Sequence, residues 1–274
     1  MQKFKVAIFG TTGSFHDLAS HKFYGEDIKT LKCFTFRKCC EMLKSNEADY
    51  AVMAIENSLA GSILPNYNLI DEYKLCIIGE QYLKIELHLL ALEGVKMKDI
   101  EFIHSHPMAL AQCSNFLVKH PHIKIIEQGD TASCVKNIHD KNLRNTAAVA
   151  NKVASALYNV PVLAENIENN SENYTRFFLL SKGDKKPKDP NKASVCFRVK
   201  HHTGSLADVL MIMKKHNVNL SKIQSVPVLG KRNEYSFHVD AEWNKYEDYK
   251  KAMKEIKEMT TSFSVLGEYV KAKI

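Results

Sequence analysis

This 274-residue sequence has no long apolar run, no paired cysteines and no glycine-rich nucleotide loop. Each absence removes a class of function. The longest apolar stretches fall far short of the roughly 20 residues a membrane span needs, so no membrane partner is expected. The opening segment, MQKFKVAIFG, turns into a glycine loop where a signal peptide would continue its apolar run. No signal peptide is expected, and a cytoplasmic location is. The seven cysteines, Cys33, Cys39, Cys40, Cys76, Cys113, Cys134 and Cys196, form no CxxC pair. They read as reduced thiols of a cytosolic protein rather than as a disulfide frame. Cys113 and Cys134 fall on expected helices with no adjacent base, which argues against thiol nucleophiles. Neither GxGxxG nor a P-loop occurs, so nucleotide binding has no support. GTTGSF has two glycines only and reads as a strand-to-helix turn. His104-x-His106 lacks a third ligand at a motif spacing, so no metal is expected there and the pair reads as surface or capping histidines. His201 and His202 read as solvated.

What is present is ordinary for a globular protein: 45% hydrophobic and 25% charged residues. The net charge of +7 is unevenly placed. After residue 181 there are 19 Lys+Arg against 11 Asp+Glu; before it, 19 against 20. The basic half does not read as a nucleic-acid surface. Its lysines alternate with acids on helix-like faces, as in YEDYKKAMKEIKEM, and no basic-aromatic motif accompanies them.

One boundary stands out. SKGDKKPKDPNKAS, residues 181–194, holds two prolines, a glycine and five lysines, which is linker composition. Before it, strand, loop and helix patterns repeat. FKVAIFG, DYAVMAIEN, IEFIHS, IKIIEQ and TAAVAN read as strands, and YKLCIIGEQYLKIELHLLAL reads as two strands around Gly79. SFHDLASHKFYG reads as a helix closed by Gly25, HPMALAQCSNFLVKH as one with Pro107 in its first turn, and DTASCVKNIHD as one capped by Asp130 or Thr131. This rhythm predicts an α/β fold with mostly parallel sheets in two lobes. After the linker the order is strand, helix, two strands around a turn at Gly230-Lys231-Arg232-Asn233, helix, strand. That is the βαββαβ, ferredoxin-like layout, two helices on an antiparallel sheet.

Ligands of open α/β sheets bind beyond the C-terminal ends of the strands. The polar residues there are Thr11, Thr12, Gly13 and Ser14; Glu56, Asn57, Ser58, Gly61 and Ser62; His104, Ser105 and His106, with Gln112 further on; and Asp130, Thr131 and Ser133. Two of these groups open helices and offer seats for a carboxylate or phosphate. Each also has a plain structural reading: Ser58, Ser62 and Thr131 as helix caps, Glu56 and Asn57 as turn residues, Gln112 as solvent-exposed, Phe177 as core. The residues alone predict a small polar anionic ligand, held for binding or for acid-assisted chemistry.

Six blocks in order carry a family resemblance: GTTGSFHDLA, AIENSLAGSI, SHPMALAQC, DTASCVK, NTAAVANKVASALY and NYTRFFLL. Together they resemble the prephenate dehydratases, with Met108 where the family has glutamine. The resemblance implies a periplasmic-binding-protein-like catalytic domain over 1–181, in two lobes of about 1–80 with 174–181 and of 81–173. It further implies a linker over 182–192 and an ACT regulatory domain over 193–274. It implies loss of water and carbon dioxide from prephenate to give phenylpyruvate, with no cofactor. Carried over, Thr175 is the proton donor and Arg176 an electrostatic brace, both catalytic. Glu56, Asn57, Ser58, Ser105, Gln112, Asp130, Thr131 and Phe177 bind substrate or organise the site. Arogenate dehydration is the near alternative, and a non-catalytic amino-acid sensor the distant one.

HTGSLADVL and VNLSKIQSVP resemble the ACT helix start and its Asn-Leu…Glu-Ser-Arg-Pro motif. The resemblance implies L-phenylalanine as effector, bound between two ACT domains around Gly204, Ser205, Leu206, Asn219, Leu220, Gln224 and Ser225, and hence a homodimer or tetramer. Gln224 and Val226 replace the motif's Glu and Arg, a paired loss of charge expected to weaken the switch. In ENYTRFFLLS, strand alternation sends Thr175 and Arg176 to opposite faces.

Overall fold

The apolar runs become strands in the computed structural model, which describes residues 4–183, 185–200, 202–228, 230–232 and 234–273. His201 and Asn233, and Met1 and Ile274 at the ends of the expected domains, lie outside the described residues. In chain order the first elements are β1 (Phe4–Phe9), α1 (Phe15–Tyr24), β2 (Ile28–Cys33), α2 (Phe36–Lys44), β3 (Tyr50–Asn57), β4 (Gly61–Ser62), α3 (Leu64–Glu72) and β5 (Cys76–Lys84). Then come β6 (His88–Leu90), β7 (Phe102–Ser105), α4 (Pro107–Gln112), α5 (Ser114–Leu117), β8 (Lys124–Glu127), α6 (Thr131–Asp140), β9 (Thr146–Ala150), α7 (Lys152–Tyr158), β10 (Val162–Ala164) and β11 (Tyr174–Ser181). The last are β12 (Lys192–Val199), α8 (Ser205–Lys215), β13 (Asn219–Pro227), β14 (Tyr235–Glu242), α9 (Tyr246–Met259) and β15 (Thr260–Tyr269).

The fold is α/β. One sheet has the order β2-β1-β3-β11-β5, with β4 beside β3. Its β1 pairs in parallel with β2 and β3, and Val6, Ala7, Ile8, Val52 and Met53 are wholly buried. Continuous burial of this kind marks strands covered on both faces. A second sheet has the order β10-β6-β9-β7-β8. It is parallel where β7 meets β8 and β9, and antiparallel where β6 meets β9 and β10. The third, β13-β14-β12-β15, is antiparallel throughout, the order the βαββαβ layout requires. In that module α9 buries Tyr249, Ala252, Met253 and Ile256, a stripe at helical spacing, and the Tyr249 ring stacks on Trp243 at 3.9 Å.

The chain parts into two compact units, residues 1–61 with 82–177, and residues 62–81 with 178–274. This differs from a division at the 182–192 linker. Within the second unit, segment 62–81 is tied to the βαββαβ module at several points. The Tyr67 ring lies 4.8 Å from that of His238, and Lys222 donates to Ser62 Oγ at 2.9 Å. Gly267 packs on the Ile77 backbone so closely that a Cβ there would lie 1.8 Å from the carbonyl oxygen.

Three local expectations are corrected. Gly79 lies buried inside β5, and the break comes later, where Ile85 N donates to the Asn173 carbonyl. The helix expected over 106–120 is interrupted at Cys113, whose ψ of 14° separates α4 from α5. β2, α2, β4, α3 and β10 have no counterpart among the elements the sequence patterns predict. Lys192, the last lysine of the linker composition, is buried at the start of β12.

Candidate active site

Two strand ends and one short helix meet in the first unit. β3 ends at Asn57, beside the entrance of β11, where Ser58 N donates to the Tyr174 carbonyl at 2.8 Å. β7 leads into α4, whose last residue is Gln112. Asn57 Oδ1 accepts from the backbone N–H groups of Leu59 and Ala60, at 3.0 and 2.9 Å, and from Gln112 Nε2 at 3.2 Å. Its Nδ2 donates to Asn173 Oδ1 at 2.7 Å and to Thr175 Oγ1 at 3.0 Å. Asn173 Nδ2 donates to Gln112 Oε1 at 2.9 Å, closing a ring of three amides. Thr175 is half-buried; Asn173 is wholly buried. Thus Asn57, Gln112 and Thr175 come together, and Asn173 joins them. Its signal in the sequence was an Asn two residues before the threonine, which alone reads as a loop residue. Gln112 is not the exposed helix residue its position suggested.

Strand alternation sorts the neighbours as expected. Arg176 turns away from Thr175, is 2% exposed, and has a guanidinium nitrogen 3.7 Å from Glu56 Oε2. Its guanidinium carbon also lies 5.9 Å from the centre of the Tyr82 ring. Glu56, adjacent to Asn57 on β3, therefore shares a face with Arg176 and not with Thr175. The pair suits a brace beneath the strand ends better than direct substrate contact.

Other expected site residues have structural duties. Ser58 Oγ accepts from Tyr174 N and donates to the Glu172 carbonyl, each at 2.9 Å, stitching β3 to β11. Ser105 is 0% exposed and donates to the Val149 carbonyl at 2.6 Å, so its hydroxyl joins β7 to β9 rather than facing a ligand. Asp130 caps α6, accepting from Ser133 N at 2.9 Å. Its carboxylate occupies the helix end that an anion would have taken. Thr131, the first residue of α6, is buried beside it. Gly10, with φ of +91°, lets β1 pass close to Asp130; a Cβ there would lie 3.2 Å from Asp130 Cβ. Phe177 is core, edge-on to His16 at 5.0 Å between ring centres. His106 Nδ1 accepts from Met108 N at 3.2 Å and caps α4. Burial pulls its pKa down, opposed by the charge of Asp130.

His16 deepens this floor. Its Nε2 accepts from Ala54 N at 3.2 Å, and burial, with His106 nearby, lowers its pKa to about 3. Folded His16 therefore stays neutral where the unfolded chain is protonated. Between these two pKa values the unfolded state binds more protons, so stability rises with pH and is lost as pH falls below about 6.5. At pH 4.5 this group alone costs about 3 kcal/mol. Urea unfolding midpoints should drop accordingly between pH 7 and 4.5. His16→Gln should flatten that dependence; an unchanged slope would show that His16 does not contribute.

The family model for prephenate dehydratase matches residues 6–185, more than half of the chain. The chain belongs to the prephenate dehydratase family. Membership makes it an enzyme of the hydro-lyase class. It is 37% identical over 274 residues to a bifunctional chorismate mutase/prephenate dehydratase from Aquifex aeolicus, covering 99% of this chain and 75% of that one. It is 35% identical to arogenate dehydratase 2 of Petunia hybrida, covering 97% of this chain and 72% of the plant protein. Among solved structures, prephenate dehydratase from Arthrobacter aurescens in complex with L-Phe aligns with a TM-score of 0.86 at 27% identity, over 97% of this chain and 90% of that one. GqqA, described as a quorum-quenching acylase, aligns equally well, with a TM-score of 0.86, 27% identity and 98% of both chains covered. A shared fold therefore does not choose the chemistry; the site must.

In this family member's C-terminal module, the expected effector residues are spread over two places. Gly204, at φ of +87°, precedes α8, and Ser205 and Leu206 open that helix. The latter two help line a cavity of about 510 Å³ with Arg198, Lys200, Tyr235 and Phe237. Asn219, Leu220, Gln224 and Ser225 lie along β13 and do not line it. Gln224 Nε2 donates to the Ser225 carbonyl at 2.8 Å. Among the described residues, no helix is long and apolar enough to cross a membrane.

Proposed function

We propose that this chain converts prephenate to phenylpyruvate, with water and carbon dioxide leaving together. The observation that carries the reading is the Thr175 hydroxyl, held by the Asn57 amide at the junction of β3, β11 and α4. In the reaction the C–C bond to the ring carboxylate breaks. Its electron pair completes the aromatic ring as the C–O bond to the ring hydroxyl breaks. Aromatisation supplies most of the driving force, so the protein has only to orient the dianion and stabilise the departing hydroxide. Thr175 O–H donates a hydrogen bond to that oxygen, and solvent supplies the proton that makes water. Gln112 and Asn57 organise the substrate side of the site, and the Arg176–Glu56 pair braces the strands that carry it.

In this reading the catalytic domain is two-lobed and periplasmic-binding-protein-like, spans residues 1–181 and is followed by a linker. The βαββαβ module from 193 is an ACT domain. L-phenylalanine binds where two such domains meet, with Gly204, Ser205 and Leu206 of one copy facing Asn219 to Ser225 of the other, in a dimer or tetramer. A second reading, arogenate dehydration, is favoured by the similarity to the Petunia hybrida protein. The test is phenylpyruvate formation from prephenate, with and without phenylalanine, beside phenylalanine formation from arogenate. Turnover of prephenate and its reduction by phenylalanine are expected. Inactivity on both substrates would refute the enzyme reading, and calorimetry showing no heat with phenylalanine would refute the effector.

A further inference from the structure

Among the groups around Thr175, Asn173 has no role in the reading above. Its side chain is polar, wholly buried, and engaged at both ends of the amide. An amide in such a place is retained at a cost unless every one of its bonds is made. The ring it closes has a property that its members lack singly.

Amide orientations are normally ambiguous, because the oxygen and nitrogen of Asn and Gln exchange on a flip. Here they follow from the backbone. Leu59 N–H and Ala60 N–H both point at one atom of Asn57, so that atom is the oxygen. Asn57 Nδ2 is then the donor, and the Asn173 atom 2.7 Å from it must be Oδ1. Asn173 Nδ2 consequently faces Gln112 Oε1, and Gln112 Nε2 faces Asn57 Oδ1, in agreement with the first assignment. Three amides thus admit one set of directions. The set has an outlet: Asn57 Nδ2 has two hydrogens, Asn173 takes one, and the other is left for the shared acceptors Thr175 Oγ1 and the Tyr174 carbonyl. Because Thr175 Oγ1 accepts, its own proton must lie along another direction. An accepted hydrogen bond also polarises the hydroxyl, making its proton a better donor.

We propose that Asn173 is a positioning residue for the reaction. It takes one Asn57 hydrogen and anchors Gln112, so that the remaining Asn57 N–H holds Thr175 Oγ1 as an acceptor and leaves the threonine proton free for the departing hydroxyl. Asn173 acts through Thr175, its hold on Gln112 serving to fix the direction of the amide ring, without touching substrate. The assignment rests on the dehydratase reading above. A purely structural asparagine would tie the entrance of β11 to Asn57 and Gln112 through its amide, and do nothing more.

The two roles separate in a double-mutant cycle on the full chain, with steady-state kinetics on prephenate and thermal unfolding of each variant. Asn173→Ala should lower kcat by about 10- to 100-fold, with KM moved much less, because the lost interaction matters in the transition state. In a Thr175→Ala background, the same change should alter kcat by less than about twofold, since the hydroxyl it positions is gone. If Asn173→Ala does not fold, Asn173→Asp enters the same cycle; it keeps the shape and the acceptor for Asn57 but loses the donor to Gln112. An unchanged kcat, or losses that multiply with those of Thr175→Ala, would overturn the positioning role. An unaltered protein inactive on both prephenate and arogenate would overturn the dehydratase reading and this role with it. Activity with multiplying losses would overturn the role alone.

Discussion

Thr175→Ala is expected to lower kcat for prephenate by about 10²- to 10³-fold and to leave KM nearly unchanged. The size follows from what the hydroxyl is asked to do. A departing hydroxide is a poor leaving group in water, and one well-placed donor at such an oxygen is worth two to three powers of ten. The ratio follows from where the interaction is made. The bound substrate's hydroxyl is neutral and needs the Thr175 proton little; the transition state carries charge on that oxygen and needs it much. Thr175→Ser keeps the donor and the Asn57 contact, and should keep most of the activity. Its loss of the methyl group releases the rotamer that β-branching restricts. Should Thr175→Ala raise KM and spare kcat, Thr175 would be a binding residue and the donor to the departing oxygen would have to be sought elsewhere. Arg176 is poorly placed for that part, being 2% exposed and turned toward Glu56.

How much of this was legible beforehand depended on the range of the interactions involved. The parallel strands, the capped helices and the βαββαβ order rest on local rules, and the structure follows them: α1 begins at Ser14, whose side chain accepts from Asp17 N, and ends at Gly25 with φ of +80°. Asp130 caps α6 in the same way. The alternation argument for Thr175 and Arg176 is also local, and it assigns their faces correctly. Gly79 misled because a glycine in an apolar run signals a turn, whereas here it is buried within a strand. Gln112 and Asn173 misled because their partners are distant in sequence. Asn57 and Asn173 are 116 positions apart, and Asn173 and Gln112 are 61 apart. No pattern of period 2 or 3.6 registers such a pair. The family resemblance nominated Asn57, Gln112 and Thr175 together, but the hydrogen-bond directions that make them one device are visible only in three dimensions. Ser105 and Asp130 show the converse: both belong to matching blocks, and both are occupied in holding the scaffold.

Lys192→Met is expected to destabilise the second unit by about 3–5 kcal/mol, the larger of the stability effects anticipated. Linker composition makes this lysine look solvated. It is instead 3% exposed, with Nζ 3.1 Å from both carboxylate oxygens of Glu80, 112 positions earlier, and 3.5 Å from Glu242 Oε1. Glu80 is 2% exposed and also accepts from Ala272 N at 3.1 Å. Removing the ammonium leaves a buried carboxylate with its main countercharge gone, and the stranded charge, more than the lost attraction, sets the cost. The companion substitution identifies which of the two it is. Glu80→Gln in the Lys192→Met background removes the stranded charge while keeping an acceptor for Ala272 N. It should return a large part of the loss, so that the two changes together cost much less than their sum. Urea unfolding of the four proteins measures this directly. If the double variant is as unstable as the separate effects added, Lys192 and Glu80 do not act as a pair, and the hold on β5 lies in close packing, such as that of Gly267 of β15 on the Ile77 backbone. If it recovers, an ion pair buried at the start of β12 holds segment 62–81 to the βαββαβ module. That would account for why compactness divides the chain within β5 and β11 and not at its most linker-like sequence.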